Sequence, residues 1–122
     1  MFNDALKYTL EIILEHVNTC QIRFSEIKSP NDFVTSDEGI LILDSIAIRL
    51  QAIGENVKNI SKNNSSFFEK HDFIDWDKII RFRDFISHHY EMLDYEIVYQ
   101  ICDYYLPKLR TVIEFEIKKF EN

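Results

Sequence analysis

Leu6, Leu10, Ile13, Leu14, Val17 and Phe24 recur at steps of three, four and seven residues near the start of the chain. That spacing gathers them into one apolar stripe on a helix. It predicts a first helix from about Asn3 to about Glu26. Ser29-Pro30-Asn31-Asp32 is a helix-start signal. Ser29 can cap, Pro30 suits the first helical position, and Asp32 favours the positive end of the dipole, so a short helical turn is expected there. Thr35 and Glu38, three apart, form a capping box that opens a second long helix. Ile40, Leu43, Ile46, Ala47, Leu50, Ile53, Val57 and Ile60 mark its buried side. Gly54 falls inside this helix, where glycine costs about 1 kcal/mol. Close approach of a neighbouring helix is the physical reason to keep it.

Ser61-Lys62-Asn63-Asn64-Ser65-Ser66 breaks the pattern and reads as a loop. Phe67, Phe68, Phe73 and Trp76 then supply core or helix-packing rings. Asp75 can cap a third helix carrying Ile79, Ile80, Phe82, Phe85 and Ile86. Met92-Leu93-Asp94 interrupts it, and Asp94 can cap the last helix. There Ile97, Val98, Ile101, Cys102, Tyr105, Leu109, Val112, Ile113 and Ile117 keep helical register across Pro107. Proline removes one backbone bond, so the last helix should kink and continue. The fold class expected is all-α, an antiparallel bundle of four to five helices with short connections.

Composition agrees with that reading. Glycine and proline number two each in 122 residues, too few for the turns of an all-β fold. The length suits a single domain over 1–122 with one core. Cys20 and Cys102 imply no disulfide framework and read as small apolar residues in a reducing, cytoplasmic setting. Asp4, Lys7 and Glu11 interrupt the first segment, which therefore resembles neither a signal peptide nor a membrane span. The net charge of −7 speaks against a broad phosphate-binding face. Across residues 69–84, Lys70, Lys78, Arg81 and Arg83 alternate with Glu69, Asp72, Asp75, Asp77 and Asp84. Any nucleic acid would be held weakly and locally, or by a dimer that concentrates the few cations.

Candidate chemistry concentrates in Arg83-Asp84-Phe85-Ile86-Ser87-His88-His89-Tyr90. Five residues turn a helix by about 500°, so Arg83 and His88 stand roughly 140° apart and form no tight pair. Asp84 and His88, four apart, share a face, so Asp84 can orient the imidazole. Arg83, Ser87 and Tyr90 lie along an adjacent stripe. These groups suit phosphodiester cleavage. An imidazole titrating near pH 6.5 can accept or donate a proton. A guanidinium can hold two phosphoryl oxygens, and Ser87 can hydrogen-bond a third. RNA brings its own nucleophile, the 2′-hydroxyl, so neither a metal nor another cofactor is called for. His71, His88 and His89 lack metal-ligand spacing with carboxylates or cysteines. A symmetric dimer would double the Arg and His, giving one His as base and the other as acid. The spacing alone fits a solvated, structural Arg and His as well.

At these residues the chain resembles the HEPN superfamily, and within it the HepT toxins of the MntA–HepT toxin–antitoxin type. Their signature R-x-x-x-x-H-x-Y stands here as Arg83, His88 and Tyr90 in RFRDFISHHY. LQAIGENVKNIS, IDWDKIIRFRDFISHHY and DYEIVYQICDYYLPKL extend the likeness over most of the chain, residues 37–113 above all. The resemblance implies that Arg83 contacts the scissile phosphate and His88 transfers protons. It also implies an RNA substrate, a homodimer with both motifs on a shared cleft, and a minimal nucleotidyltransferase partner that transfers AMP to Tyr90. AMP there would add bulk and negative charge at the mouth of an anion-binding cleft. Many HEPN proteins have Asn after the motif Arg. Asp84 makes this site less cationic, which weakens RNA binding or orients His88. Without the resemblance, Tyr90 reads as a helix-end tyrosine with a hydrogen bond.

Two further classes compete. A non-catalytic helical module that binds the nucleotidyltransferase would suit the acidic surface. A small-nucleotide binder using Arg83 lacks any accompanying Gly-rich loop. His16 is expected on the helix surface, His71 in a structural loop, and His89 packed on the core side. Tyr95, Tyr99, Tyr104 and Tyr105 read as bundle or dimer packing.

Overall fold

In the computed structural model, which describes residues 2–121, the apolar stripes close on one another as four long helical runs. The first is α1 (Phe2–Phe24), and the second is α2 (Asp37–Asn63). After the short α3 (Ser66–Lys70) come α4 (Trp76–His89), α5 (Tyr95–Gln100) and α6 (Leu106–Lys118). Turns of 3-10 helix occupy Pro30–Phe33 and Tyr90–Met92. No strand occurs among the described residues, and none of their helices is long and apolar enough to cross a membrane.

The cross-links set the topology. His16 meets Arg49, and Arg23 meets Ser45, so α1 and α2 run antiparallel. Gln51 meets Ser87 and Asp44 meets Tyr90, so α4 runs antiparallel to α2 on its other side. α6 packs on α1. Leu10, Ile13 and Val17 of α1 meet Ile46, Leu50 and Ile53 of α2 and Leu106 and Leu109 of α6 in a core that excludes water from all of them. Each such side chain contributes about 1.5–3 kcal/mol on burial.

The second helix begins one residue later than the box at Thr35 and Glu38 predicts. Ser36 is the cap, in extended conformation, and its hydroxyl accepts from the Gly39 amide at 3.0 Å. A β-carbon at Gly39 would drive into the Asp32 carbonyl, so glycine must fill this third position of the helix and sets its start. The predicted turn at Ser29 does form, and Asp32 accepts from the amides of Lys28 (2.8 Å) and Ser29 (3.2 Å). The expected loop over 61–66 is shorter than predicted, because α2 runs to Asn63 and α3 starts at Ser66.

Phe67 and Trp76 are buried and Phe68 stacks on Trp76 at 4.9 Å. Phe73 departs from expectation. It is 64% exposed, because Ile74 takes the inward position of that turn. His71 is structural, as read from sequence. It is buried with Nε2 2.6 Å from Glu116 Oε2, tying α3 to α6. Burial pushes the Glu116 carboxyl up, but the His71 hydrogen bond and Lys119 and Lys70 bring it net below its ordinary value. His16 is not a free surface residue. It is half-buried with Nδ1 3.1 Å from Arg49 Nη1, and burial followed by that cation lowers its pKa. Cys20 and Cys102 are both buried free thiols, and burial pushes Cys20 up to about 12.

The interruption expected at Pro107 takes the form of a π-helical turn over Ile101–Tyr105, immediately before it. The Leu106 amide donates to the Ile101 carbonyl, five residues back. In that register the next amide, that of residue 107, would serve the Cys102 carbonyl, and proline has none. Gln21 Nε2 of α1 supplies the missing donor at 3.0 Å. Gln21→Leu should therefore lower stability by about 1–2 kcal/mol through the orphaned carbonyl. Urea unfolding checks this, and an unchanged midpoint would contradict it.

Candidate active site

Asp75 caps α4 by accepting from the Lys78 amide at 3.0 Å, as the sequence leads one to expect. Trp76, Ile79 and Ile86 face the core, with Phe82 and Phe85 half-buried beside them. The polar side of α4 is thereby turned along the seam with α2. Gly54 sits at the crossing. A β-carbon there would lie 2.7 Å from the Ile79 carbonyl and still nearer the Arg83 β-carbon. The close approach inferred for Gly54 is therefore real, and the neighbour it admits is the stem of Arg83.

From that point the guanidinium meets two carboxylates. Nη2 lies 2.5 Å from Glu55 Oε1 and Nη1 lies 2.7 Å from Asp84 Oδ1. The Arg83 side chain is one-quarter exposed. Its Nε and Glu55 Oε1 are both buried, and neither completes a well-aligned hydrogen bond. The bond to Asp84, then Glu55, raises the pKa of Arg83, which stays charged. The same bond holds the Asp84 carboxyl below its ordinary value. Asp84 thus takes its hydrogen bond from Arg83, and His88 acts on it through charge alone. A permanent cation one residue away is a stronger hydrogen-bond partner than an imidazole one turn on.

Ser87 and Tyr90 also meet α2. Ser87 Oγ accepts from Gln51 Nε2 at 2.9 Å. The Tyr90 hydroxyl donates to Asp44 Oδ1, and burial followed by that carboxylate pushes the phenol up to about 12. Tyr90 nonetheless remains 42% exposed. His88 is exposed beside them. His89 is exposed too, rather than packed in the core, with its ring against Phe85 at 5.5 Å. α4 and the turn after it therefore bring Arg83, Ser87 and Tyr90 to one seam and leave His88 open to solvent.

Three residues of this arrangement escaped the sequence reading. Asp44, Gln51 and Glu55 are seven and four apart, a polar stripe on α2 beside its apolar one. That periodicity was the available signal. No group of three or more His, Cys, Asp or Glu able to hold a metal occurs among the described residues. Lys58 acts on Asp84 and partly offsets the acidic surroundings. Chemically, the site offers a fixed guanidinium for an anionic oxygen and an accessible imidazole for a proton.

A family model described as "Ribonuclease HepT-like" matches residues 13–115. "Putative RNase TTE0752" of Caldanaerobacter subterraneus subsp. tengcongensis is 31% identical over 110 residues, 87% of this chain and 92% of that protein. "Putative RNase MJ0127" of Methanocaldococcus jannaschii is 36% identical over 73 residues, 60% of this chain and 58% of that protein. No solved structure matches at comparable stringency.

Proposed function

Since the chain belongs to the HepT-like ribonuclease family, we propose that it is a metal-independent endoribonuclease, the toxin of a toxin–antitoxin pair, acting as a cytoplasmic homodimer. The observation that carries this reading is the placement of Arg83 on the α2 seam with His88 exposed on the same helix. In the reaction, His88 of one protomer takes the proton from the RNA 2′-hydroxyl. The 2′-oxygen attacks phosphorus while Arg83 holds a non-bridging oxygen. The 5′-oxygen leaves with a proton from the second protomer's imidazole, giving a 2′,3′-cyclic phosphate and a free 5′-hydroxyl. Leu41 and Ile48 flank Asp44 on α2 and are 68% and 66% exposed, which suits a dimer face beside the motif.

Tyr90 is the proposed acceptor of AMP from an MntA-like minimal nucleotidyltransferase. Its exposure suits it to modification. A phosphodiester there would stand against Asp44 and close to a site already rich in carboxylates, so RNA phosphate would be repelled. The acidic setting of Arg83 also favours a second reading, a non-catalytic module that binds the nucleotidyltransferase. Incubation with total cellular RNA in excess EDTA separates the two. The unmodified chain should cut and the AMP-carrying chain should not; intact transfer, messenger and ribosomal RNA with unmodified protein would support the module.

The charge balance yields a further expectation. Asp84→Asn removes a carboxylate from the guanidinium that is to hold phosphate, and should tighten binding of an uncleavable 2′-O-methyl RNA about fivefold, an effect of order 1 kcal/mol at a half-exposed site. Fluorescence anisotropy at low salt reads this directly. Equal or weaker binding would mean that Asp84 does not compete with phosphate.

A further inference from the structure

We infer that Glu55 is a positioning residue for Arg83, the α2 carboxylate that aims the guanidinium at the scissile phosphate. For its catalytic consequence this rests on the ribonuclease reading above. The geometry itself does not.

An arginine has four rotatable side-chain bonds and points usefully only when something holds its far end. Here the near end is fixed by Gly54, which lets the Arg83 stem lie on α2 with Cγ within 3.1 Å of where a β-carbon would sit. Glu55, the next residue, then meets the far end at Nη2. Glycine and glutamate thus act as a pair, one admitting the stem and the other directing the head. The Glu55 side chain is 46% exposed overall, yet its Oε1 atom is buried at the seam, where its near neighbour is the Nη2 cation rather than a well-aligned hydrogen-bond donor. Asp84 differs. It follows Arg83 on the same helix and takes Nη1, with no oxygen buried at the seam without a partner. Glu55 reaches the guanidinium from the other helix, so it fixes the head of Arg83 relative to α2. With Glu55 in place, the phosphate meets a guanidinium already aimed, and ordering it costs nothing during the reaction.

The test compares the full-length chain with Glu55→Gln and Glu55→Asp, each first checked for an unchanged denaturation midpoint. Nitrogen-15 NMR of the guanidinium groups, with the Arg83 signals assigned by their loss in Arg83→Lys, reads the geometry without RNA. Wild type should show separate, slowly rotating Nη signals, and Glu55→Gln markedly faster exchange between them. Cleavage of a defined RNA should show kcat reduced about tenfold or more in Glu55→Gln with KM within about twofold, and partial recovery in Glu55→Asp. Averaged Nη signals in wild type would overturn the inference. So would an unchanged kcat, or a raised one, which would make Glu55 a competitor of phosphate. A wild type that cuts no RNA defeats the ribonuclease reading, while the NMR comparison still decides whether Glu55 holds Arg83.

Discussion

His88→Ala should lower RNA cleavage by about 10²–10⁴-fold while leaving the folded state almost untouched. The side chain is exposed at the end of α4 and contributes nothing to the core, so the stability change should stay within about 0.5 kcal/mol. Its proposed role is proton transfer, and alanine neither takes a proton from the 2′-hydroxyl nor returns one to the leaving oxygen. Binding of uncleavable RNA should survive, since Arg83 is the proposed holder of the phosphate. The expected signature is therefore a collapse of kcat with KM largely retained. A variant that retained wild-type rates would remove His88 from the chemistry. A variant that unfolded would contradict its exposed placement. His89→Ala is the natural control. That ring rests on Phe85 and should matter far less.

Gly54→Ala should strongly lower both stability and activity although it lies outside the motif. The added methyl would meet the Ile79 carbonyl at 2.7 Å and press on the Arg83 stem. A backbone carbonyl cannot swing aside, so α4 must move away from α2. Overpacking of this kind costs about 1–3 kcal/mol, against which alanine's better helix propensity returns only about 1 kcal/mol. The same shift would carry Arg83 off Glu55, Ser87 off Gln51 and Tyr90 off Asp44. Thermal unfolding and RNA cleavage should fall together. A Gly54→Ala chain more stable than wild type would mean that the two helices are not in close contact.

Much of this was legible in the sequence, and the parts that were not share a cause. Helical periodicity located α1, α2, α4 and the run from Tyr95 to Lys118, because an apolar stripe is a property of one segment. The caps Asp75 and Asp94 were legible for the same reason, each accepting from an amide two or three residues on. Gly54 could be assigned to a helix crossing, since little else explains glycine inside so regular a helix. The residue it admits could not. Glu55 and Arg83, Gln51 and Ser87, Asp44 and Tyr90 are far apart in sequence and meet only through the rotation and crossing of two helices. Asp84 illustrates the converse. Spacing offered it His88, but the charge on Arg83 decided its partner. Thr35 lost the helix start to Ser36 because the steric demand lay at Gly39, against the Asp32 carbonyl on a preceding turn. The motif itself was visible as Arg83, His88 and Tyr90, whereas the α2 stripe that holds it was hidden within an ordinary polar helix face.

The motif is proposed to cleave RNA through the substrate's own 2′-hydroxyl. The most direct test of this is a matched pair of oligonucleotides, one all-RNA and one with a single 2′-deoxy substitution at the mapped cleavage position, each treated with unmodified protein in excess EDTA and read by mass spectrometry. The expected result is cutting of the all-RNA strand to a 2′,3′-cyclic phosphate and a 5′-hydroxyl, with the substituted position left intact. Equal cutting of both strands, or products ending in 3′-hydroxyl and 5′-phosphate, would contradict it.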